Sequence, residues 1–314
     1  MKERLKIIVN FFLKELNIFI LYRFGNAIGD QLCMTAIVEN IYDNYSKKII
    51  IFSSYPEFFE NNPKIWKSYS IKKQNRYIAK LISRLLSALR GGEIENFCFP
   101  YSNGGGLEVY MRNSKAKISL IEAHSLHFKR KLALKEAKPK IYFSEKELKI
   151  FQEKFKDLPK NFAIIQPIGK TTYTPNKEWS FIKFQNVIKN LTEIKWLQTG
   201  FSNDLLLNDV IDFRGKTNTL RELAYIVSKA DFVLCLEGLL NHIAASVNTK
   251  SFVIFSGFSQ IELAKYITTI PIVKTPQVEC SPCWILEKCP KEKKWCTENI
   301  LVQDVVDVIR KEVL

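Results

Sequence analysis

The stretch that most constrains the fold is residues 231–255, with the sequence DFVLCLEGLLNHIAASVNTKSFVIF. Its first apolar run, 232–235, is short enough to be a buried strand, and a turn with Glu237 follows. A helical segment that carries His242 comes next, and a second apolar run closes the stretch at 251–255. Strand, short helix and strand in so few residues predict a βαβ unit with two parallel strands.

The turn in this unit is a candidate binding site. In parallel sheets, ligands bind beyond the carboxyl ends of the strands, where a helix N-terminus offers free N–H groups to anions. Four residues lie where a phosphate or a ribose would be met: Glu237, Gly238, Asn241 and His242. The alternative is that these polar side chains only cap the helix, with His242 as a satisfied helix residue. The stretch by itself leaves both interpretations open.

Length and charge narrow the class of protein. A chain of 314 residues is long for one domain and sufficient for two. Hydrophobic residues at 46% and aromatic residues at 12% can build cores, which excludes wholesale disorder. The net charge of +15 indicates an anionic partner: a nucleic acid, a nucleotide phosphate or an acidic membrane surface.

The first half of the chain starts like a Rossmann domain. Residues 5–16 predict a basic amphipathic helix, which either lies on an anionic membrane or docks on its own domain. A strand at 18–23, a turn with two glycines, a helix at 31–45 and a strand at 48–52 follow. Asp30 falls at the expected N-cap of that helix, a position that a carboxylate favours.

Residues 61–92 are a second basic feature, with eight Lys or Arg and no acidic residue. Lys80, Arg84 and Arg90 flank an apolar helical stripe there, and we interpret them as a surface for an anionic lipid or glycan acceptor. The alternative is a solvated basic face on a core helix. Nucleic-acid binding would need interleaved aromatic residues or a recognisable reading module, and neither is evident.

The second half repeats the α/β pattern beyond a charged linker at 129–148. We predict two Rossmann-like domains, 1–140 and 141–300, and a final helix at 301–314 that could return to the first domain. The loop after the first strand of the second half carries hydroxyl groups and lysines suited to phosphate oxygens. Its candidate ligands are Lys170, Thr171, Thr172 and Lys177. It lacks the glycine spacing of a Walker A loop.

Four of the seven cysteines form a cluster near the end of the chain. The spacing Cys280-x₂-Cys283-x₅-Cys289-x₆-Cys296 resembles a metal knuckle that would hold a structural Zn or Fe. Free thiols in a loop and two disulfides are the alternatives. An odd cysteine count without a signal peptide favours a reducing compartment. The longest apolar stretches are too short to span a membrane. We therefore expect a cytoplasmic protein.

Taken together, these motifs resemble glycosyltransferase family 9, which includes the ADP-heptose:lipopolysaccharide heptosyltransferases. Residues 29–36 resemble the early GD-x-L-x-x-T signature, and Lys177-x-Trp179 resembles K-x-W. Residues 212–222 match D-x-x-G-x-T-x-x-L-x-E, and 237–245 resemble D/E-x-G-x-x-H-x-A-A. In the last motif Leu239 stands where the family has glycine.

The resemblance implies a GT-B fold, in which two Rossmann-like domains face each other across a cleft, with the acceptor in the N-terminal domain and the donor in the C-terminal domain. It also implies an inverting transfer that needs no metal, with heptose as the commonest donor sugar. Asp30 would be the general base. Lys177, Thr171 and Thr172 would stabilise the leaving nucleoside diphosphate. Glu237 would bind the ribose and His242 the phosphate or sugar.

We therefore expect a bacterial glycosyltransferase, peripheral to the inner face of the cytoplasmic membrane. Its acceptor would be a lipo-oligosaccharide, a lipopolysaccharide core or a capsule glycan. Two alternatives come from other classes. A non-catalytic nucleotide-sugar-binding or assembly protein would tolerate the loss of Asp30. A basic nucleic-acid-binding protein would show a steep salt dependence through residues 61–92.

Overall fold

The protein is described by a computed structural model that covers residues 2–23, 27–71, 97–98, 117–126, 132–169, 173–274 and 278–313. The chain divides into two compact units. One comprises Met1–Ser114 and Ile118–Ser144, and the other Lys115–Lys117 and Glu145–Leu314. Six predicted site residues lie outside the described residues: Lys80, Arg84, Arg90, Lys170, Thr171 and Thr172.

The first unit is built on a parallel sheet with the strand order β3-β2-β1-β4. Its described elements are α1 (Lys2–Glu15), β1 (Ile18–Arg23), α2 (Ile28–Tyr45), β2 (Lys48–Ser53), β3 (Ile65–Ser70), β4 (Phe97–Cys98) and α3 (Leu120–Ser125). The predicted strand at 18–23 is confirmed. Leu13 of α1 packs into an apolar cluster with Ile18 and Tyr22, so this side of the helix docks on the sheet.

The second unit has a six-stranded parallel sheet in the order β10-β9-β8-β5-β6-β7. Its strands are β5 (Ala163–Gln166), β6 (Trp196–Gln198), β7 (Ile211–Asp212), β8 (Phe232–Leu236), β9 (Lys250–Ile254) and β10 (Thr269–Ile272). Its helices are α4 (Glu145–Lys154), α5 (Phe181–Asn190), α6 (Leu220–Val227), α7 (Leu239–Ser246), α8 (Trp295–Glu298) and α9 (Val302–Val313).

This strand order is that of a doubly wound dinucleotide-binding sheet. The chain builds outward from β5 through β6 to β7, then returns to the other side of β5 with β8. The direction of winding therefore reverses between β5 and β8. At such a switch point the loops after the two strands separate, which opens a crevice at their carboxyl ends.

The βαβ unit predicted at 231–255 is confirmed. Strands β8 and β9 pair in parallel from Phe232 with Lys250 to Leu236 with Ile254, and α7 connects them. Ala244 and Ala245 of α7 are fully buried. Small side chains at these positions let the helix lie close to the sheet.

The position of Asp30 differs from the prediction. The N-cap of α2 is Ala27, and Gln31 N–H donates to the carbonyl of Ala27 at 3.2 Å. The helix therefore starts at Ile28, and Asp30 lies in its first turn instead of capping it. A carboxylate in a first turn is still stabilised by the helix dipole.

Two helices depart from the sequence prediction in other ways. Helix α4 begins inside the expected linker, and Phe151 is its one buried residue, so charged side chains cover most of its surface. Helix α9 buries Val305, Val306 and Ile309 in the core of the second unit, whereas the sequence allowed a return to the first domain. Within the described ranges, no helix is long and apolar enough to cross a membrane.

Candidate active site

Asp30 lies at the carboxyl edge of the first sheet, in an ion pair with the last residue of β1. Nη2 of Arg23 donates to Oδ2 of Asp30 at 2.7 Å. Arg23 is buried, while Asp30 keeps part of its side chain exposed. The hydrogen bond from a buried guanidinium fixes the orientation of the carboxylate. Sequence reasoning missed Arg23.

A buried amide supports this pair. Nε2 of Gln31 donates to the carbonyl of Arg23 at 3.2 Å, and Oε1 of Gln31 accepts from Oγ of Ser53 at 2.7 Å. Arg23 ends β1 and Ser53 ends β2, so Gln31 connects the carboxyl ends of two adjacent strands. The first turn of α2, and Asp30 with it, is thereby held at a fixed place on the edge of the sheet.

In the second unit, the structure brings Lys177 and Glu237 together at the switch point. Lys177 ends the 3₁₀ turn Pro175–Lys177 after β5, and Glu237 directly follows β8. Nζ of Lys177 lies 2.8 Å from Oε1 and 2.6 Å from Oε2 of Glu237. Oγ of Ser259 also donates to Oε2, at 3.4 Å. The carboxylate thus receives both an ammonium and a hydroxyl.

The Lys177 ammonium also lies over two aromatic rings. Its Nζ is 5.4 Å from the ring centroid of Tyr173 and 5.0 Å from that of Phe258. Rings at this distance attract a cation and keep water away from one side of it. A positive charge that is partly desolvated interacts more strongly with an incoming phosphate oxygen.

Gly238 leaves the N-terminus of α7 open beside this pair. Gly238 is the N-cap of α7, and its φ of 169° is extended backbone that any residue adopts. A Cβ added here would meet only the carbonyl oxygen of Leu236, at 4.0 Å. The protein itself would therefore tolerate a side chain. What glycine provides is free space in front of the helix N–H groups, where an anion can approach.

Asn241 was predicted as a donor ligand, and this role stays a prediction; the structure places its side chain in a buried hydrogen-bond network. Its Nδ2 donates to the carbonyl of Ala264 at 2.6 Å. Its Oδ1 accepts from the hydroxyls of Ser251 and Thr269, both at 2.9 Å. The side chain is fully buried, and these bonds tie α7 to β9 and β10.

His242 is nearly buried and forms a side-chain pair. Nδ1 of its ring lies 2.6 Å from Oη of Tyr266, a partner that sequence reasoning did not identify. This contact agrees with the alternative of a satisfied helix residue. A role of His242 at the phosphate or sugar stays a prediction.

The D-x-x-G motif forms a local turn in the structure. Arg214 donates from Nε and Nη2 to the two carboxylate oxygens of Asp212, each at 2.8 Å. These hydrogen bonds lower the pKa of Asp212 to about 2. Gly215 has φ of 64°, in the left-handed region that favours glycine. The motif therefore stabilises the chain between β7 and α6.

The four clustered cysteines are free thiols, with Cys280 exposed and the other three partly exposed. Burial, and after it the neighbouring thiols of Cys296, Cys280 and Cys289, raise the pKa of Cys283. No group of three or more His, Cys, Asp or Glu in the described part of the chain is placed to hold a metal ion. As placed, the thiols do not form the ligand set of the predicted knuckle.

The segment that carries these cysteines packs on the loop after β9. Cys283 N–H donates to the carbonyl of Gly257 and Trp284 N–H to that of Phe258, both at 2.9 Å. A Cβ at Gly257 would lie only 3.0 Å from Cβ of Cys296 and 3.1 Å from Oγ of Ser281. A larger residue at position 257 would therefore press on the side chains of Cys296 and Ser281.

Comparison with solved structures identifies the fold. A family 9 glycosyltransferase from Veillonella parvula DSM 2008 has a TM-score of 0.67 at 14% identity, over 93% of this chain and 96% of that one. The ADP-heptose lipopolysaccharide heptosyltransferase II of Escherichia coli has a TM-score of 0.64 at 12% identity, over 93% of this chain and 98% of that one. The iron-containing dodecameric glycosyltransferase TibC of enterotoxigenic E. coli H10407 has a TM-score of 0.66 at 14% identity, over 94% of this chain and 76% of that one. The fold is therefore that of GT-B glycosyltransferases.

Comparison with protein-family models identifies the family. The family model described as glycosyltransferase family 9 (heptosyltransferase) matches residues 118–295, more than half of the chain. The chain belongs to glycosyltransferase family 9, and it is a glycosyltransferase. The predicted family, α/β fold class and enzyme class are thus confirmed. No curated protein matches the chain.

Proposed function

We propose that this enzyme transfers a sugar from a nucleoside diphosphate sugar to a glycan hydroxyl, with inversion and without a catalytic metal. The observation that carries the proposal is the Lys177–Glu237 pair at the switch point, beside the open N-terminus of α7. The ammonium and the helix N–H groups would receive the diphosphate, and the Glu237 carboxylate would accept hydrogen bonds from the ribose hydroxyls.

The chemical step needs a base and a stabilised leaving group. The acceptor oxygen forms a bond to the anomeric carbon, and its proton passes to the Asp30 carboxylate. The bond from that carbon to the phosphate oxygen breaks, and the electron pair leaves with the nucleoside diphosphate. Lys177 and the N-terminus of α7 would stabilise the charge that grows on this oxygen. Attack opposite the leaving group inverts the anomeric centre.

The names of similar structures support a choice of substrates. One structure of TibC is in complex with ADP-D-β-D-heptose, and E. coli heptosyltransferase WaaC was solved with ADP. We propose an ADP-heptose-like donor and an anionic lipo-oligosaccharide, lipopolysaccharide core or capsule acceptor. Lys80, Arg84 and Arg90 are the proposed acceptor contacts, because they bring positive charge to the first unit.

A thermal-shift screen tests the donor site. The panel contains ADP, UDP, GDP and CMP, each also as a nucleotide sugar. We expect one nucleoside diphosphate to raise the unfolding midpoint, because a ligand that binds only the native state stabilises it by mass action. A midpoint unchanged by every compound at millimolar concentration would contradict the proposal. A shift without turnover on any acceptor would favour the non-catalytic binding protein.

Helix α1 supports a peripheral contact with the inner face of the cytoplasmic membrane. Val9 and Leu13 face the sheet, yet Ile7, Ile8 and Phe11 are each more than half exposed. The helix is therefore apolar on two sides, and the described residues cover one of them. Arg4 and Lys14 on the same helix are exposed as well. Exposed apolar residues next to cations fit the surface of an anionic bilayer.

Phe11→Glu should lower binding to vesicles that contain phosphatidylglycerol by about tenfold or more, because an aromatic side chain that enters the lipid contributes about 2 kcal/mol. Cosedimentation measures this. Phe201→Glu is the control, since Phe201 is 77% exposed and Phe11 59%, and Phe201 belongs to the second unit. Equal losses in both variants, or no binding by the wild type, would contradict a contact through α1.

The cysteines carry no step of this reaction. A structural Zn or Fe on Cys280, Cys283, Cys289 and Cys296 stays a prediction of the sequence, since no group placed to hold a metal ion is present among the described residues. Elemental analysis of protein purified without chelator checks it. Less than about a tenth of a metal per chain would contradict it.

A further inference from the structure

A single buried amide connects the turn that carries Lys177 to a distant part of the chain. Nδ2 of Asn176 donates to the carbonyls of Ile285 and Glu287, both at 2.7 Å. Its Oδ1 accepts from Cys289 N–H at 3.1 Å. Asn176 is buried, so its amide is fully occupied with the backbone of one segment. We call residues 280–296, which include the four cysteines, the cysteine segment.

The neighbours of Asn176 bind the same segment. Oγ1 of Thr174 donates to the carbonyl of Ile285 at 3.1 Å. Nζ of Lys294 donates to the carbonyls of Pro175 at 3.0 Å and Glu178 at 3.3 Å. Both sides of Lys177 in the chain are therefore fixed by the cysteine segment. The backbone of Lys177 has little freedom to move relative to it.

The cysteine segment also fixes the surface over which the ammonium lies. Its Trp284 donates a backbone hydrogen bond to Phe258, and the two rings lie 5.4 Å apart. Phe258 is one of the two rings under Nζ of Lys177, and the next residue, Ser259, donates to Glu237. One segment therefore holds both the turn that supplies the ammonium and the loop that surrounds it.

We infer that Asn176 is a positioning residue of the donor site, through which the cysteine segment sets the place of the Lys177 ammonium. The inference rests on the proposed function, because it assumes that Lys177 binds the diphosphate. The amide of Asn176 donates two hydrogen bonds to the cysteine segment and accepts one from it. A single hydroxyl or carboxylate cannot make this set of bonds. Without it, the turn loses three hydrogen bonds to the segment, and the ammonium is held less precisely.

The test measures binding of ADP and of inorganic pyrophosphate by calorimetry. Pyrophosphate reports the diphosphate subsite without any contribution from the base. We expect Asn176→Ala to weaken the binding of ADP and of pyrophosphate by about tenfold each, which corresponds to about 1.4 kcal/mol. The matched control is Gln198→Ala. Gln198 is also a buried amide of the second unit that holds a loop, through the carbonyl of Leu205 and the N–H of Leu207.

A double-mutant cycle separates positioning from general loss of structure. If Asn176 acts through Lys177, then adding Asn176→Ala to a Lys177→Ala protein should cost less than about twofold further in pyrophosphate affinity. If Asn176 only supports the fold, its effect should be the same in both backgrounds. Additive losses would overturn the inference, and so would an Asn176→Ala affinity within about twofold of the wild type.

Two further outcomes have a definite interpretation. If Asn176→Ala does not fold, Thr174→Val takes its place in the same cycle, because it removes the hydroxyl's bond to Ile285 and the bond that it accepts from Asn176 N–H, and leaves the Asn176 side chain in place. It should give a smaller loss that again vanishes without Lys177. If the folded wild type binds neither ADP nor pyrophosphate, the proposed donor site itself fails. That result is distinct from failure of the positioning role.

Discussion

Asp30→Asn should lower turnover by about 10²- to 10⁴-fold, the range that a positioned general base contributes. Asparagine keeps the size of the side chain and an oxygen that Arg23 can still donate to, but it cannot take the proton of the acceptor hydroxyl. Nucleoside diphosphate affinity should stay within about twofold, because we assign the donor to the second unit. Initial rates of diphosphate release and calorimetry with the same nucleotide measure the two quantities.

Asp43→Asn is the matched control for this experiment. Asp43 belongs to the same helix and also pairs with a cation, with Oδ1 2.7 Å from Nζ of Lys64. It thus reports what the loss of an ion pair on α2 does to stability and rate. A turnover of Asp30→Asn within about tenfold of that of Asp43→Asn would show that another group is the base. A comparison of the unfolding midpoints of the two variants shows whether an amide beside Arg23 destabilises the protein.

Lys177→Ala should raise the dissociation constant of the nucleoside diphosphate by about 10- to 100-fold, because a charge-assisted hydrogen bond contributes about 1.5–3 kcal/mol. The effect has a second cause. Glu237 is nearly buried, and without the ammonium its negative charge faces the incoming phosphates. Calorimetry with the nucleotide chosen by the thermal-shift screen measures the loss.

Lys183→Ala is the control here, since the two lysines have similar surroundings. Both side chains are 20% exposed, and both ammonium groups pair with a glutamate. Nζ of Lys183 lies 5.7 Å from the ring centroid of Trp179, as Lys177 lies over Tyr173 and Phe258. If Lys183→Ala weakens the nucleotide as much as Lys177→Ala does, the effect comes from general destabilisation, and Lys177 leaves the proposed site.

Local patterns were sufficient to predict the parts of the fold that depend on neighbouring residues. The apolar runs at 232–235 and 251–255 and the turn between them predicted the βαβ unit, because buried parallel strands appear as short continuous apolar runs. The charged helix α4 was not predicted, since most of its residues face water and periodicity is then weak.

The candidate site was only partly predictable because its contacts join distant parts of the chain. Lys177 and Glu237 were each proposed from motifs, but their pairing depends on β5 lying beside β8. The buried surroundings of Asn241 were not predicted, because the turn of α7 that directs its side chain towards the sheet follows from packing and not from the motif. Asn176 has no local pattern at all, since its partners are more than a hundred residues away.

The winding of the second sheet has a consequence for the order in which the protein becomes active during synthesis. Lys177 is synthesised soon after β5, the first strand of the second unit. Its partner Glu237 follows sixty residues later, and the segment that binds Asn176 follows later still. A nascent chain that ends before β8 has the lysine without its carboxylate. Nucleotide binding should therefore be acquired late, when the C-terminal part of the chain has left the ribosome, so unfinished chains would not compete for the donor sugar.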